Sequence, residues 1–347
     1  MAQPSQSIDD RMFVRRVLIV IGLVALALLA WQLRQVVVML FGAVVVAAVF
    51  RSLADPICRW SRMPSGVSVA IAVAIVFGAL ALLVAFFGVE VRGQIDQLGA
   101  TLPEAVKSLE ERVGDNDFVR RALATAREGA SGGIGNFGRI IMSIGNAAAD
   151  ALVIIFGGIF LAAQPRFYKT GAIKLVPEAK RDLVSSAMDD SERALRLWLK
   201  GQLIAMVAVG LMTGLGLWLL GMQSALALGL LAGLLEFVPF AGPIIAAIPA
   251  VLIALAVNPE MALWVVLLYT AVQQVESYLL QPLVQQYAVD LPGVVLLFSL
   301  IAFGILFGAI GVLFAAPLAV VTYVMVKKLY VRETLGTETP IPGEDKG

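Results

Sequence analysis

The chain has 347 residues, of which 60% are apolar and only 15% are charged, and its mean hydropathy is +0.90. Soluble domains carry about 25% charged residues, so these values exclude an ordinary soluble domain and indicate a polytopic membrane protein. The 26 basic and 25 acidic residues leave a net charge of +1, which argues against nucleic acid as a partner. The chain has no histidine and a single cysteine, Cys58. We therefore expect no internal disulfide, no metal, no other cofactor and no enzymatic activity.

The apolar runs predict an all-α fold with about eight transmembrane helices, since a spanning helix needs about 20 apolar residues. Two runs close to the N-terminus, at 12–30 and 36–50, are separated by a short polar stretch around Arg34 and predict a tight helical hairpin. The first run continues past the small residues that resemble a signal-peptide cleavage site, so we expect an uncleaved span. The remaining candidate spans are 66–89, 140–163, 201–220, 224–257, 261–286 and 293–326.

These runs divide the chain into an N-terminus, a membrane-spanning N-terminal part, two hydrophilic segments, a C-terminal core and a tail. The predicted boundaries are 1–11 for the N-terminus, 12–89 for helices 1–3, 90–139 for the hydrophilic amphipathic segment, 140–163 for helix 4, 164–200 for the helical connector, 201–326 for the transmembrane core and 327–347 for the tail.

Basic residues in short loops stay on the cytoplasmic side of a membrane. They cluster at 11–16, at 51–62, in the connector 164–200 and at the start of the tail. We therefore expect both termini in the cytoplasm and, by parity, segment 90–139 on the outside.

Both hydrophilic segments carry helical patterns. Apolar residues recur every three or four positions from 91 to 113, a second helix is expected after the break at 114–117, and a glycine-rich stretch covers 129–138. In the connector, Leu183, Ala187, Met188, Ser191, Leu195 and Trp198 mark one helix face. These helices pack against the membrane surface or a neighbour, or they serve in gating or subunit contact.

Residues 201–326 contain no Lys or Arg and only four acidic residues. Glu260 and Asp290 lie in predicted turns, whereas Glu236 and Glu276 lie in apolar sequence. A carboxylate at the bilayer centre costs about 2.5–3.5 kcal/mol on insertion scales. We therefore expect Glu236 and Glu276 to face a cavity or a hydrogen-bonding partner, either in a structural or in a functional role.

Glu236 is followed by Pro239, Gly242 and Pro243, which cannot continue a regular helix. The run 224–257 is also too long for one ordinary span, so we predict a discontinuous or re-entrant helix. Broken helices at membrane depth often form the substrate site of transporters, and a simple structural kink is the alternative.

The seventh predicted span carries a polar stripe, because a helix advances by about 100° per residue and five polar side chains fall on one face. They are Gln274, Ser277, Tyr278, Gln281 and Gln285. Glu276 lies outside this face, towards Gln273, and Pro282 is expected to bend the helix. The stripe faces either other helices or a wet pathway.

Glycines at small-xxx-small spacing predict close contacts between helices rather than contacts with a solute. They are Gly210 and Gly214, Gly229 and Gly233, and Gly304, Gly308 and Gly311. The last three, with Pro317, give the long run 293–326 places to bend or re-enter.

The stretch from Gly233 through Glu236, Pro239, Gly242 and Pro243 resembles the signature of the autoinducer-2 exporter family of bacterial membrane proteins. The C-terminal order of residues is also similar to that family: Glu276, Gln281, Pro282, Pro292, Gly304, Gly308, Gly311 and Pro317. This sequence departs from the family at Phe240 and Ala241, where a tyrosine followed by isoleucine or valine is expected.

The resemblance implies an inner-membrane permease with eight spans that assembles into ring-like homo-oligomers, expected to be pentamers. Some family members export autoinducer-2, others are similar to sodium or lithium/proton antiporters, and many have no assigned substrate. We carry the family signature onto Glu236, Pro239, Gly242, Pro243, Glu276, Gln281 and Pro282.

The leading hypothesis is a transporter or facilitator that exports a small polar solute, with autoinducer-2 as the family-level expectation. Its pathway would include Glu236, Pro239, Gly242, Pro243, Gln274, Glu276, Ser277, Gln281 and Pro282. The alternatives are a Na⁺(Li⁺)/H⁺ antiporter and a membrane scaffold that transports nothing. The sequence contains no nucleotide-binding Gly-x-x-x-x-Gly-Lys-Ser/Thr motif, so transport would draw on an ion gradient or on the solute's own gradient.

Overall fold

The computed structural model describes residues 6–61, 63–78, 149–281 and 291–342, together with positions 81, 85 and 344. All regular structure in these residues is helical, which confirms the predicted all-α fold. We number the helices in chain order: α1 (Gln6–Ser61), α2 (Ser65–Gly78), α3 (Ala149–Ala163), α4 (Pro165–Lys174), α5 (Arg181–Leu219), α6 (Ala225–Leu235), α7 (Ala241–Val257), α8 (Pro259–Val275), α9 (Gly293–Leu313) and α10 (Ala315–Met325). A 3₁₀ turn, Glu178–Lys180, precedes α5, and π-helical turns continue α8 at Glu276–Leu280 and α10 at Val326–Arg332.

Several predicted features lie outside the described residues. They are the amphipathic helix at 91–113, the break at 114–117, the glycine-rich stretch at 129–138, and the residues Pro282 and Gln285.

Four described helical stretches are long and apolar enough to cross a membrane: Trp31–Ser61, Glu178–Leu219, Pro259–Leu280 and Gly293–Leu313. A fifth span is obtained if α3 and α4, which are bent by 93°, are counted together. The chain is therefore a multi-pass membrane protein. The number of eight spans stays a prediction.

The predicted N-terminal hairpin is wrong. α1 is one continuous helix of 56 residues, so it is about 84 Å long at 1.5 Å per residue. The stretch around Arg34 contains no glycine or proline that would interrupt a helix. The two basic clusters that a hairpin would place on one side of the membrane therefore lie at opposite ends of this helix.

Small residues let α1 approach its neighbours closely. A Cβ atom on Gly158 would lie 2.6 Å from Cγ1 of Val46, so α3 packs directly on α1. A Cβ on Gly42 would lie 2.8 Å from the Phe314 ring at the junction of α9 and α10. These contacts join the N-terminal half of the chain to the C-terminal core.

The second half of the connector, from Arg181, and the fifth predicted span form one uninterrupted helix, α5. Its predicted connector face is buried at Ala187, Ser191, Leu195 and Trp198, and half-buried at the other two positions. This face therefore packs inside the protein rather than on a membrane surface.

The run 293–326 bends at Gly308, one of the positions where a bend was expected. Gly308 has φ 68° and ψ −147°, which is not helical. Gly311 packs against the carbonyl oxygen of Phe303, although these residues would be about 12 Å apart along a straight helix. The chain therefore turns back at Gly308, which confirms a re-entrant element in the C-terminal half.

Three charged segments meet at one end of the molecule, which we call the charged end. Arg196 on α5 donates to Asp55 near the end of α1, with Nη1 and Oδ2 2.7 Å apart. Lys328, just after α10, pairs with the buried Asp190 on α5 and donates to Ser186 Oγ at 2.6 Å. The segments around 55, 190 and 328, all predicted to be cytoplasmic, thus lie on the same side of the protein.

The C-terminal tail folds back onto the charged end. Arg332 donates two hydrogen bonds to Glu344, with nitrogen–oxygen distances of 2.7 and 2.9 Å, and Lys327 donates to the carbonyl of Pro340. Ile341 is buried in the apolar cluster that contains Leu195. The tail is therefore part of the folded protein.

Candidate functional site

The site is centred on the break between α6 and α7. α6 ends at Leu235 and α7 begins at Ala241, so the predicted discontinuity of 224–257 is confirmed. At Phe240, with φ 66° and ψ −47°, the chain makes a γ-turn in which the Ala241 N–H donates to the Pro239 carbonyl at 2.8 Å. A bulky residue in this conformation stores about 1–3 kcal/mol of strain.

Gly242 allows α7 to start directly against the end of α6. A Cβ at this position would overlap the carbonyl oxygen of Leu235 and would lie 3.1 Å from the nitrogen of Glu236. Pro243 lies in the first turn of α7, where the missing N–H leaves no helical hydrogen bond unmade. Gly242 and Pro243 thus both fit the first turn of α7, directly after the break.

Two carboxyl groups meet at the break. Glu236 is the first residue after α6 and is 2% exposed, and Glu276 opens the π-helical turn after α8 and is 7% exposed. The two carboxyl groups are close enough to interact electrostatically. Two carboxyl groups at close range in a buried site resist simultaneous ionisation. The structure thus brings together two residues that the sequence marked separately.

Side-chain amides surround the carboxyl pair. Gln273 Nε2 donates to Glu276 Oε2 at 2.7 Å. Gln202 on α5 donates to the backbone carbonyl of Glu236 at 2.6 Å. In the described part of the chain, Oε2 of Glu236 is buried and has no hydrogen-bonding partner. The site therefore contains one unused acceptor at membrane depth.

The π-helical turn separates Glu276 from the polar stripe. Glu276 is buried, whereas Gln274, Tyr278 and Gln281 are exposed and Ser277 is half-buried. π-helical turns are rare and occur often at functional sites, where they re-aim side chains. The stripe lies on the outer surface of the described chain, and only Glu276 and its amide partner point inward.

Glycines hold α5 against α6 beside the carboxyl pair. A Cβ on Gly229 would lie 2.5 Å from Cα of Gly214, and a Cβ on Gly233 would lie 2.6 Å from the Met206 carbonyl oxygen. Gly210 completes this contact, because its Cβ would lie 3.3 Å from Cα of Gly233. Since Met206 lies one turn after Gln202, this contact sets the distance from Gln202 to the end of α6.

Sequence reasoning missed Gln202. It is a single amide next to Gly201 at the start of an apolar run, and no pattern links it to a helix break 34 residues later. In the described residues, no group of three or more Cys, Asp or Glu side chains is placed to hold a metal ion.

Comparison with known sequences decides the family. Residues 19–331 match the profile described as "AI-2E family transporter". The chain belongs to the AI-2E transporter family. The match covers all the residues that form the break, the carboxyl pair and the glycine contact.

Several named proteins are similar in sequence to this chain. The AI-2 transport protein TqsA of Escherichia coli K12 is 23% identical over 343 residues, which cover 93% of this chain and 94% of TqsA. The putative transport protein YueF of Bacillus subtilis 168 is 24% identical over 84% of both chains. The putative transport protein YrrI of the same organism is 29% identical over 57% of this chain and 54% of its own length.

Proposed function

We propose that this protein is a secondary transporter that exports a small polar solute along a path past the break between α6 and α7. The observation that carries the proposal is the buried polar group at the break, where the carboxyl of Glu236 leaves one oxygen unpartnered at membrane depth. Irregular backbone and unpartnered acceptors are tolerated in a membrane where they line a cavity or are buried by protein. A path for a polar solute is therefore better supported here than a simple kink.

Autoinducer-2 is the solute that we propose first. The name of TqsA, which matches this chain along almost its full length, supports it. The amide and hydroxyl groups of the predicted pathway, on Gln274, Ser277 and Gln281, are suitable partners for a hydroxylated solute. The proposed pathway also includes Pro239, Gly242, Pro243 and Pro282.

A second candidate, Na⁺(Li⁺)/H⁺ antiport, is favoured by the carboxyl pair. Two buried carboxyl groups at close range, such as Glu236 and Glu276, favour keeping one proton, and its loss would leave carboxylate oxygens that suit a small hard cation. Exchange of the proton for a cation would keep the charge of the buried site unchanged. This proposal differs from uncoupled export because it makes both glutamates necessary for flux.

The test is flux from proteoliposomes that hold labelled autoinducer-2, with and without sodium and proton gradients. The variants are the double substitution Glu236→Gln/Glu276→Gln and the matched control Glu260→Gln, which removes an exposed carboxylate at the start of α8. Efflux in both variants without a gradient supports an uncoupled exporter. Cation and proton exchange without solute efflux, lost in the double variant and kept in the control, supports the antiporter.

A membrane scaffold that transports nothing is the remaining alternative. If monodisperse protein moves neither autoinducer-2 nor cations under any gradient, both transport proposals are refuted for these substrates and the scaffold is favoured. Such a result would shift the experiments to partner recruitment by the charged end.

We also propose that the protein is a homo-oligomer, with a pentamer as the expected size, in the bacterial cytoplasmic membrane with the charged end and the tail inside. The continuous α1 carries the N-terminus away from the charged end. The exposed polar stripe on Gln274 and Tyr278 supports contact with a second copy, because amides are poorly placed against lipid. Native mass spectrometry from detergent gives the number of copies, and protease protection in inverted vesicles gives the side of the tail.

A further inference from the structure

Helix α4 lies across the end of a membrane-spanning helix. α3 ends at Ala163, and α4, Pro165–Lys174, leaves it at an angle of 93°. α4 contains no buried residue. A helix at a right angle to a spanning helix runs along the membrane plane, at the level where the spanning helix ends.

One face of α4 carries large apolar side chains. No other part of the described chain covers them. At about 100° per residue, Phe167, Tyr168 and Leu175 fall within a sector of about 100°. Phe167 is 69% exposed and Leu175 is 88% exposed, and the rings of Phe167 and Tyr168 pack edge to face. This apolar face is too exposed to be explained by packing within the chain.

The opposite side of α4 is fixed to the protein. Lys169 pairs with Asp189 on α5, with Nζ and Oδ1 2.5 Å apart. Ile173, on the same side as Lys169, is half-buried. The ion pair and the burial of Ile173 set the rotation of the helix, so the apolar face points away from the protein.

One exposed basic residue of α4 lies at the edge of the apolar face. At about 100° per residue, Lys174 lies about 20° from Phe167, whereas Arg166 lies on the far side of the helix, near Ile173. Lys180 is exposed just after the helix, and residues 164–177 contain no acidic side chain. A second pair of this kind lies at the end of α1, where Arg59 is exposed and Trp60 is 94% exposed. Aromatic and basic side chains with this placement are typical of the boundary between acyl chains and lipid headgroups.

We propose that α4 is an interfacial helix that binds anionic phospholipid. Phe167, Tyr168 and Leu175 enter the outer part of the acyl layer, and Lys174 pairs with a headgroup phosphate. The bend, the exposed apolar face and the excess of positive charge each fit a lipid surface, whereas a protein partner would account only for the apolar face. The helix anchors the charged end to the membrane, independently of which solute crosses it.

The test measures the surroundings of single fluorophores in the full-length protein. In a Cys58→Ser background, an environment-sensitive dye is attached at Leu175→Cys or at the control Thr170→Cys, which is exposed on the same helix about 140° around its axis from Leu175. Nanodiscs contain phosphatidylcholine alone or an equimolar mixture with phosphatidylglycerol. Quenching is measured with iodide in water and with a lipid that carries a nitroxide on its upper acyl chain.

We expect the dye at 175 to be quenched by the nitroxide lipid and protected from iodide, and the dye at 170 to show the reverse. Replacing Lys174 by Gln should shift the equilibrium of the helix away from the phosphatidylglycerol surface by roughly 5-fold, from the attraction of one charge. The same change should have little effect in phosphatidylcholine.

Three results would overturn the proposal. Equal iodide quenching at 170 and 175 would mean that the helix stands away from lipid. Protection of 175 from both quenchers would mean that protein covers the face. Lipid quenching that is the same in both lipid compositions and in the Gln variant would remove the role of anionic lipid. Size-exclusion profiles that match the wild type exclude misfolding in each case.

Discussion

Gly229→Ala should disrupt the contact between α5 and α6, whereas the same change at Gly214 should be tolerated. A Cβ on Gly229 would lie 2.5 Å from Cα and 2.7 Å from the nitrogen of Gly214, and 2.8 Å from the carbonyl oxygen of Gly210. These are backbone atoms, so no side chain can rotate away and the helices must separate. A Cβ on Gly214 meets its nearest atoms at 3.6 Å, which is ordinary van der Waals contact.

The magnitude follows from the distances. Restoring a contact of 3.6 Å at Gly229 needs a separation of about 1 Å between two packed helices, and overpacking of this kind typically costs about 1–3 kcal/mol. At Gly214, alanine adds no overlap and has a higher helix propensity than glycine by about 0.5–1 kcal/mol. Because the propensity gain applies to both substitutions, we expect the two variants to differ in stability by the overpacking cost of about 1–3 kcal/mol, with Gly214→Ala the more stable.

The assay is reversible unfolding of the purified protein in mixed micelles of increasing SDS content, followed by far-UV circular dichroism. Gly229→Ala should unfold at lower SDS than the wild type, and Gly214→Ala at the same or higher SDS. Equal loss of stability in both variants would show that the glycines matter for their spacing rather than for these individual contacts. Unchanged stability in Gly229→Ala would refute the close helix contact.

Three further predictions concern the charged end and the α9 bend. Asp190→Leu should destabilise the protein by about 3 kcal/mol or more in the SDS titration, because the buried ammonium of Lys328 then keeps only the hydroxyl of Ser186 as a partner. The double variant Asp190→Leu/Lys328→Met should recover much of this stability, because it leaves no buried charge unpaired. Gly308→Ala should cost about 1–3 kcal/mol from backbone strain alone, since no atom lies near the added methyl, and Gly304→Ala, which meets only a flexible valine side chain, serves as its comparison. Hydrogen bonds from Arg332 hold the pKa of Glu344 below its ordinary value, so tail docking is present at neutral pH and is lost as the pH falls through this lowered pKa. A dye at position 337 should lose fluorescence anisotropy over that pH range, and in Glu344→Gln the anisotropy should be low at every pH.

The break at 236–240 could be predicted from sequence because its causes are covalent. Pro239 and Pro243 lack backbone donors wherever they lie, and Gly242 marks a place without a side chain. The prediction of an N-terminal hairpin was wrong because it rested on a charged residue and not on a proline or glycine. Arg34 was taken as part of a turn, but its guanidinium lies 4.0 Å from the centre of the Trp31 ring one helical turn earlier. A charge that stacks on an aromatic neighbour stays on the helix surface and does not interrupt it.

The sequence identified individual residues of the candidate site but not which of them contact one another. Hydropathy marked Glu236 and Glu276 as unusual, since each is a carboxylate in apolar sequence. That they pair with each other, and that Gln202 caps the carbonyl of Glu236, depends on how α5, α6 and α8 pack. The spacing of Gly229 and Gly233 showed that a close contact exists, but the identity of the partner helix is a property of the tertiary fold.

The ion pairs of the charged end also set an order of assembly. Arg196 reaches Asp55 across 141 residues, and Lys328 reaches Asp190 across 138 residues. Pairings of such high sequence separation form only after the intervening chain has been synthesised and inserted. The buried Asp190 therefore pairs with Lys328 only after α10, close to the C-terminus, has been inserted. The Arg196–Asp55 pair can therefore form before the Lys328–Asp190 pair. A chain truncated before residue 328 would insert its helices but would lack the contact that joins α5 to the C-terminal segment.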